Sequence, residues 1–197
     1  ESDNVSNGLP NNGPSNGEQS DERENQRVAD MMDLPLFPLN VVLFPGMLLP
    51  LHIFEPRYRE MIGYCIERSK PFGVVLHEGG VQNGAPIMPV EVGTTARIRR
   101  VQRHPDGRMD IQTVGVHRFR VEEFDDSRTY LTGSVRQIPI VNGATRSANR
   151  LAQILRPKLV EYMELLNIAH SADAELAYVP HDPKPLAYMV ASSLQLN

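Results

Sequence analysis

The stretch from Leu34 to Tyr58, LPLFPLNVVLFPGMLLPLHIFEPRY, constrains the fold more than any other, because it is strongly apolar yet interrupted by proline at 35, 38, 45, 50 and 56. A proline lacks the N–H that a central strand donates to its ladder, so strands carrying this many must be short, marginal or bulged. Pro45-Gly46 separates two apolar runs and marks a loop, and Pro56 sits where a helix can begin. The order is therefore strand, loop, strand, helix, which suits a small irregular barrel better than a flat sheet.

Tyr58, Met61, Ile62 and Cys65 recur at helical spacing, predicting a helix over 55–68 with Phe54 extending its buried stripe. Phe72 to Leu76 is a short apolar strand, closed by a turn at Gly79-Gly80. Over 91–103 and 108–113, β-branched residues alternate with arginines around His104-Pro105-Asp106-Gly107, a hairpin signal. Further strands are expected over 116–121 and, after the Asp125-Asp126-Ser127 turn, over 130–140. Strand succeeds strand with only turns between, which predicts antiparallel pairing.

The period then changes. Leu151, Ile154, Leu155, Leu159, Tyr162, Met163 and Leu166 share a helical stripe over 147–167, with a kink or break expected near Leu155 because Pro157 lies inside it. A weak helical turn is expected over 172–178. Asp182-Pro183 is a helix start, and Leu186, Met189, Val190 and Leu194 form the expected buried face of the helix it opens.

Composition divides the chain further. Residues 1–33 hold eight acids and two arginines, a charge of −6, whereas the other 164 residues hold 18 bases and 16 acids, a charge of +2. Residues 1–30 carry too few apolar side chains to offset the entropy of ordering, so they are expected to be a disordered tail. Residues 31–142 form the β-rich domain and 145–197 a helical part expected to be incomplete, with an apolar face left partly open. The single cysteine, Cys65, excludes an internal disulfide and suits a reducing, cytoplasmic compartment. No run approaches the roughly 18 apolar residues that a membrane span needs.

The residues that carry chemistry elsewhere are scattered here. His52, His77, His104, His117, His170 and His181 show no ligand spacing on one predicted element, so no metal is expected. His77-Glu78-Gly79-Gly80-Val81 lacks the second histidine of a zinc-protease motif. Cys65 lies on a buried stripe, the place of a structural thiol rather than a nucleophile. No phosphate-cradling Gly-x-x-x-x-Gly-Lys-Ser/Thr occurs, so no nucleotide cofactor is expected and no catalytic residue is assigned.

Two binding surfaces remain. Leu43, Phe44, Met47 and Leu48 flank Pro45-Gly46 in a loop, where an apolar surplus and a flexible thioether offer an adaptable surface for apolar polypeptide segments. An unpaired strand edge beside it would add backbone partners. The arginines at 97, 99, 100, 103, 108, 118 and 120 could instead meet RNA, but six acids lie in the same stretch, to Asp126, and the one aromatic among the arginines, Phe119, alternates inward. A salt-bridged outer face is the favoured reading of these arginines.

The run LPLFPLNVVLFPGMLLPLHIFEPRYREMI at 34–62 closely resembles the opening of the Lon protease N-terminal, substrate-binding domain. PFGVVL at 71–76, VGTTARI at 92–98, GVHRFRV at 115–121 and DPKPLAYMVASSL at 182–194 extend the likeness nearly to the end. The resemblance implies an α+β fold: a PUA-like antiparallel pseudo-β-barrel with a crossover helix, then a C-terminal helical subdomain. It makes Pro45, Gly46, Pro50, His52, Phe54, Glu55, Arg57 and Tyr58 family-motif positions of mainly structural role. The expected function is non-catalytic recognition of unfolded or misfolded polypeptides, stand-alone or at the front of an ATP-dependent protease. An ATPase, a protease or a second copy are the further partners it implies, with a PUA-like RNA-binding module as the alternative.

Overall fold

The computed structural model describes residues 31–77, 79, 81–82, 85–86, 88–139, 145–170 and 179–194. The tail expected over 1–30 and the helical turn expected over 172–178 lie outside the described residues.

The fold is α+β. Strands β1 (Met31–Leu39) and β2 (Leu48–Ile53) precede helix α1 (Pro56–Glu67) and β3 (Phe72–Leu76); the short β4 (Val81–Gln82) and β5 (Ala85–Pro86) come after them. Next are β6 (Val92–Arg103), β7 (Met109–Asp125), β8 (Thr132–Gln137), α2 (Arg146–His170) and α3 (Pro183–Ser193). Six strands form one sheet in the order β2-β7-β6-β3-β1-β8, and β8 pairs back onto β7; β4 and β5 pair separately.

The sheet is mixed: β6, β7 and β8 pair antiparallel as expected over that region, whereas the wholly antiparallel barrel implied by the resemblance is corrected at β1 and β3. β1 and β3 run parallel, from Leu36 opposite Gly73 to Leu39 opposite Leu76. A parallel pair needs a long crossover, and β2 with α1 supplies it between these two strands. A second correction concerns β7: the strands expected over 108–113 and 116–121 are one 17-residue element running through Gly115. Its first part lies between β2 and β6, and from Phe119 onward it meets β8. Bulges in β6 and at Val121/Glu123 bend the strands enough for this double pairing.

The prolines of the opening stretch differ in setting: Pro35 and Pro38 lie on β1 opposite Thr132 and Val75, between two partner strands. β1 is irregular between Met31 and Leu34, just before Pro35. Pro50 lies on β2, which ends the strand order and among the described residues pairs only with β7, so its missing donor costs little.

The main core lies beneath α1, whose Met61, Ile62 and Cys65 are fully buried against Phe37, Phe72, Ile53 and Ile111. Each such side chain contributes about 1.5–3 kcal/mol by leaving water. Tyr58 stacks on Phe37 with ring centroids 4.1 Å apart. Phe54 does not extend this stripe: it precedes the helix, in line with the outward residues of β2, and is 59% exposed. A second cluster joins Leu34, Leu36, Val75, Phe119, Val121 and Val135 across the sheet.

The two C-terminal helices share a small core of Ala152, Leu159, Val179 and Leu186. Asp182 caps α3, its Oδ1 accepting from the Lys184 N–H at 3.0 Å. The buried face of α2 is rotated from the expected stripe: Ala152 and Leu159 are buried with Leu155 beside them, whereas Leu151 and Ile154 lie in solvent. Leu194, expected on the buried face of α3, is likewise exposed. α2 runs unbroken across Pro157, so the proline removes one intrahelical donor rather than ending the element. Among the described residues no helix is long and apolar enough to cross a membrane.

Candidate functional site

The loop between β1 and β2 is a tight turn. The Met47 N–H donates to the Phe44 carbonyl at 3.0 Å, and Gly46 has φ +84°, the left-handed conformation that the third position of a Pro-Gly type II turn requires. The turn is pinned to β7 by two bonds, Gly46 N–H to the Gly115 carbonyl at 2.9 Å and Gly115 N–H to the Met47 carbonyl at 3.0 Å. Gly115 permits this approach, since a Cβ there would lie 2.3 Å from the Phe44 carbonyl oxygen.

Docking the turn redistributes its apolar residues. Leu43, expected in the binding patch, is 3% exposed and belongs to the core. Phe44 and Met47 are half-buried, Met47 against the core and Phe44 with its ring centroid 6.4 Å from that of Tyr188 on α3. Leu48 alone of the four is widely open, at 69%.

From Leu48 the exposed surface continues along β2 rather than around the loop. Leu49 and Ile53 point into the core, so Leu48, Pro50 and His52 face outward, with Phe54 continuing their line. The backbone edge of β2 away from β7 has no strand partner among the described residues. Pro50 blunts that edge in part, since it has no N–H to offer an incoming strand.

Behind this row lies a cleft of about 420 Å³ lined by Pro50 and His52 of β2, Asp110 and Gln112 of β7, and Arg100 and Gln102 of β6. Register places them in two ranks, Pro50 opposite Gln112 opposite Arg100, and His52 opposite Asp110 opposite Gln102. At one end of the cleft, His52 Nδ1 lies 2.6 Å from one carboxylate oxygen of Asp110, and His104 Nε2 lies 2.6 Å from the other. These two bonds, His52's the stronger influence, hold the Asp110 carboxyl below the usual range. Chain separation concealed this convergence of three side chains, and the register of β2 on β7 produces it.

The other motif residues hold the entry to α1. Glu55, at the N-cap position, makes no side-chain cap and instead pairs with Arg57 at 2.9 Å, whose guanidinium lies over the Tyr58 ring. Burial, the largest influence, raises the Tyr58 hydroxyl pKa. Of the arginines considered for RNA, Arg108 pairs with Asp106 and Arg120 with Glu91, and Phe119 is fully buried. The surface around them therefore lacks a stacking ring from that residue. Cys65 is buried, and its thiol is pushed up to about 12, so it is no nucleophile.

This geometry has relatives among known proteins. The family model described as the ATP-dependent protease La (LON) substrate-binding domain matches residues 33–197. Lon protease 1 of Hydrogenovibrio crunogenus is 23% identical over 159 residues, 80% of this chain and 20% of that protein. The Lon protease of Parabacteroides distasonis is 33% identical over 114 residues, 56% of this chain and 13% of the relative. The chain thus spans a fifth or less of the length of these curated relatives. A crystal structure of a Lon N-terminal domain protein from Xanthomonas campestris superposes with a TM-score of 0.54 at 25% identity, covering 82% of this chain and 98% of that one. The N-terminal domain of a Mycobacterium avium complex Lon protease shares the fold, with a TM-score of 0.59 at 17% identity over 84% of this chain and 85% of that one. The family model spans residues 33–197, most of the chain, and the chain belongs to the family of LON substrate-binding domains.

Proposed function

We propose that this domain recognises unfolded or misfolded polypeptides without acting on them chemically, taking exposed apolar segments along the outer row of β2. The observation that carries the reading is the alternation Leu48, Pro50, His52, Phe54 on an edge strand, with Leu48 at 69% and Phe54 at 59% exposure. Large apolar side chains on a strand with one edge unpaired among the described residues supply two elements of strand-addition recognition, ridges for side chains and spare carbonyls for backbone. Val42, 47% exposed early in the preceding loop, adds to the apolar surface of the region.

Affinity from so small a surface is weak and broad. It rises when several copies act together, as in an assembly with an ATPase and protease or by self-association. A PUA-like pseudo-barrel in a cytoplasmic setting is the accompanying structural reading, supported by the return of β8 onto β7 and by the single thiol.

The test is fluorescence anisotropy of a labelled, reduced and carboxymethylated polypeptide titrated with the wild type and with Leu48→Ser/Phe54→Ser. Both side chains are exposed, so the double variant should fold with an unchanged circular dichroism spectrum. Binding weakened by about tenfold, the loss of roughly 1.4 kcal/mol of apolar contact, supports the reading. Identical curves for the two proteins overturn it.

A further inference from the structure

We propose that His52, His104 and Asp110 form a binding site for a borderline divalent cation such as Zn²⁺, at the end of the β2-β7-β6 cleft. The site shares His52 with the outer row of β2, but the polypeptide-recognition reading asks nothing of its ring nitrogens.

The donors come from three separately anchored positions. His52 lies on β2 directly opposite Asp110 on β7, and Asp110 in turn lies opposite Gln102 on β6. His104 opens the β6-β7 hairpin, its N–H donating to the Arg108 carbonyl at 2.9 Å and its carbonyl accepting from Gly107 at 3.0 Å. Three backbone sites are thereby fixed by the sheet and by a closed turn, so only side-chain torsions remain to be set. One ligand atom from each residue falls within 4.8 Å of the others, close enough that side-chain rotation alone brings all three to the bonds of about 2.0–2.2 Å that Zn²⁺ makes.

The chemistry of the set is selective. Two imidazole nitrogens and one carboxylate suit Zn²⁺ and its neighbours, whereas Ca²⁺ and Mg²⁺ prefer oxygen donors throughout. Each imidazole now points its nearer nitrogen at a carboxylate oxygen. Neutral histidines can present that nitrogen to a metal by carrying the proton on the other ring nitrogen, so binding requires a change of tautomer and no net proton loss. Side-chain exposures of 47% for His52, 46% for Asp110 and 30% for His104 leave an entry path and room for solvent ligands. Three protein donors with an open position resemble the accessible zinc sites rather than the closed structural ones.

A hydrogen-bonded clamp that merely ties the hairpin to β2 is the competing role, and it differs in what it predicts. A clamp is indifferent to Zn²⁺. The experiment titrates Zn²⁺ into the chain against a chromophoric chelator, and in parallel records the visible d–d bands of Co²⁺ as a substitute ion. One ion per chain is expected for the wild type and for the control His181→Gln, whose exposed histidine lies outside the cluster. His52→Gln/His104→Gln should bind at least about tenfold more weakly, since even outer-shell partners of a metal are commonly worth that much. Asp110→Asn, which keeps an amide in the carboxylate's place, provides the same reading if the double variant does not fold. Equal Zn²⁺ affinity in the wild type and in whichever of these variants folds, or Co²⁺ bands unaffected by Asp110→Asn, overturns the site.

Discussion

Gly115 and Phe44 approach so closely that a Cβ on Gly115 would lie 2.3 Å from the Phe44 carbonyl oxygen. The contact is backbone against backbone, so no side-chain rotation can relieve it. Gly115→Ala must therefore push the Phe44–Met47 turn off β7 and strain both hydrogen bonds that hold it there. A loss of about 2–4 kcal/mol is expected, from two weakened bonds and a displaced Leu43. Urea denaturation measures it.

Gly63→Ala provides the contrasting case. Gly63 lies within α1, and nothing stands within 4 Å of where its Cβ would be. Glycine in a helix interior costs about 0.5–1 kcal/mol relative to alanine, so this substitution should stabilise the domain by that amount. The same denaturation series checks the sign, and a destabilised Gly63→Ala would contradict the packing described for α1.

The two glycines also show what was legible in the sequence. Proline and glycine punctuation, with the apolar period, located α1, the hairpin at His104–Gly107 and the start of α3. It misplaced the break at Gly115, because glycine in a strand signals either an end or a close approach, and only the partner backbone decides which. The parallel β1–β3 pair was hidden for a similar reason: direction depends on how β2 and α1 return the chain, which no local pattern records. At the candidate site, Leu43 and Leu48 looked alike as loop residues, yet one lies in the core and the other in solvent. Phe54 looked helical because its spacing from Tyr58 is four residues; it sits before the helix begins, where that spacing no longer sets its direction. His52 and Asp110 are separated by 58 residues and could be joined only through register.

Cys65 should be silent toward thiol reagents. Its pKa is pushed up to about 12, chiefly by burial, with Lys70 acting in the opposite direction. The thiolate is the reacting species, so at pH 8 the folded protein should resist iodoacetamide and react only as it opens. Adding denaturant should release one reactive thiol per chain. Rapid labelling of the native protein would show that α1 is not packed as described.

Asp125 makes stability depend on acid. Its carboxyl is held below the usual value, first by the Ser127 backbone N–H and then by the Ser127 side chain. A carboxyl depressed in the folded state adds stability above its unfolded pKa of about 3.9, and that stability is lost as pH falls through the folded value. Asp125→Ala should therefore lower Tm at pH 7, and the gap from wild type should close progressively below about pH 3.9. Thermal melts of both proteins between pH 7 and pH 2 give the comparison; a gap that widens in acid would reverse the assignment.

The two flanks of the turn differ in burial, and substitution can separate their roles. Leu43 is 3% exposed and packs in the main core, so Leu43→Ala removes buried methyl groups and leaves a cavity. About 2–5 kcal/mol of stability should be lost, with polypeptide affinity per folded molecule unchanged. Leu48 is 69% exposed, so Leu48→Ser should alter stability by no more than about 0.5 kcal/mol while weakening polypeptide binding. Denaturation and anisotropy on the same two variants measure both quantities. Stability lost at Leu48 would instead require the β2 register to be shifted by one residue, because a one-residue slip exchanges the faces of every side chain on the strand.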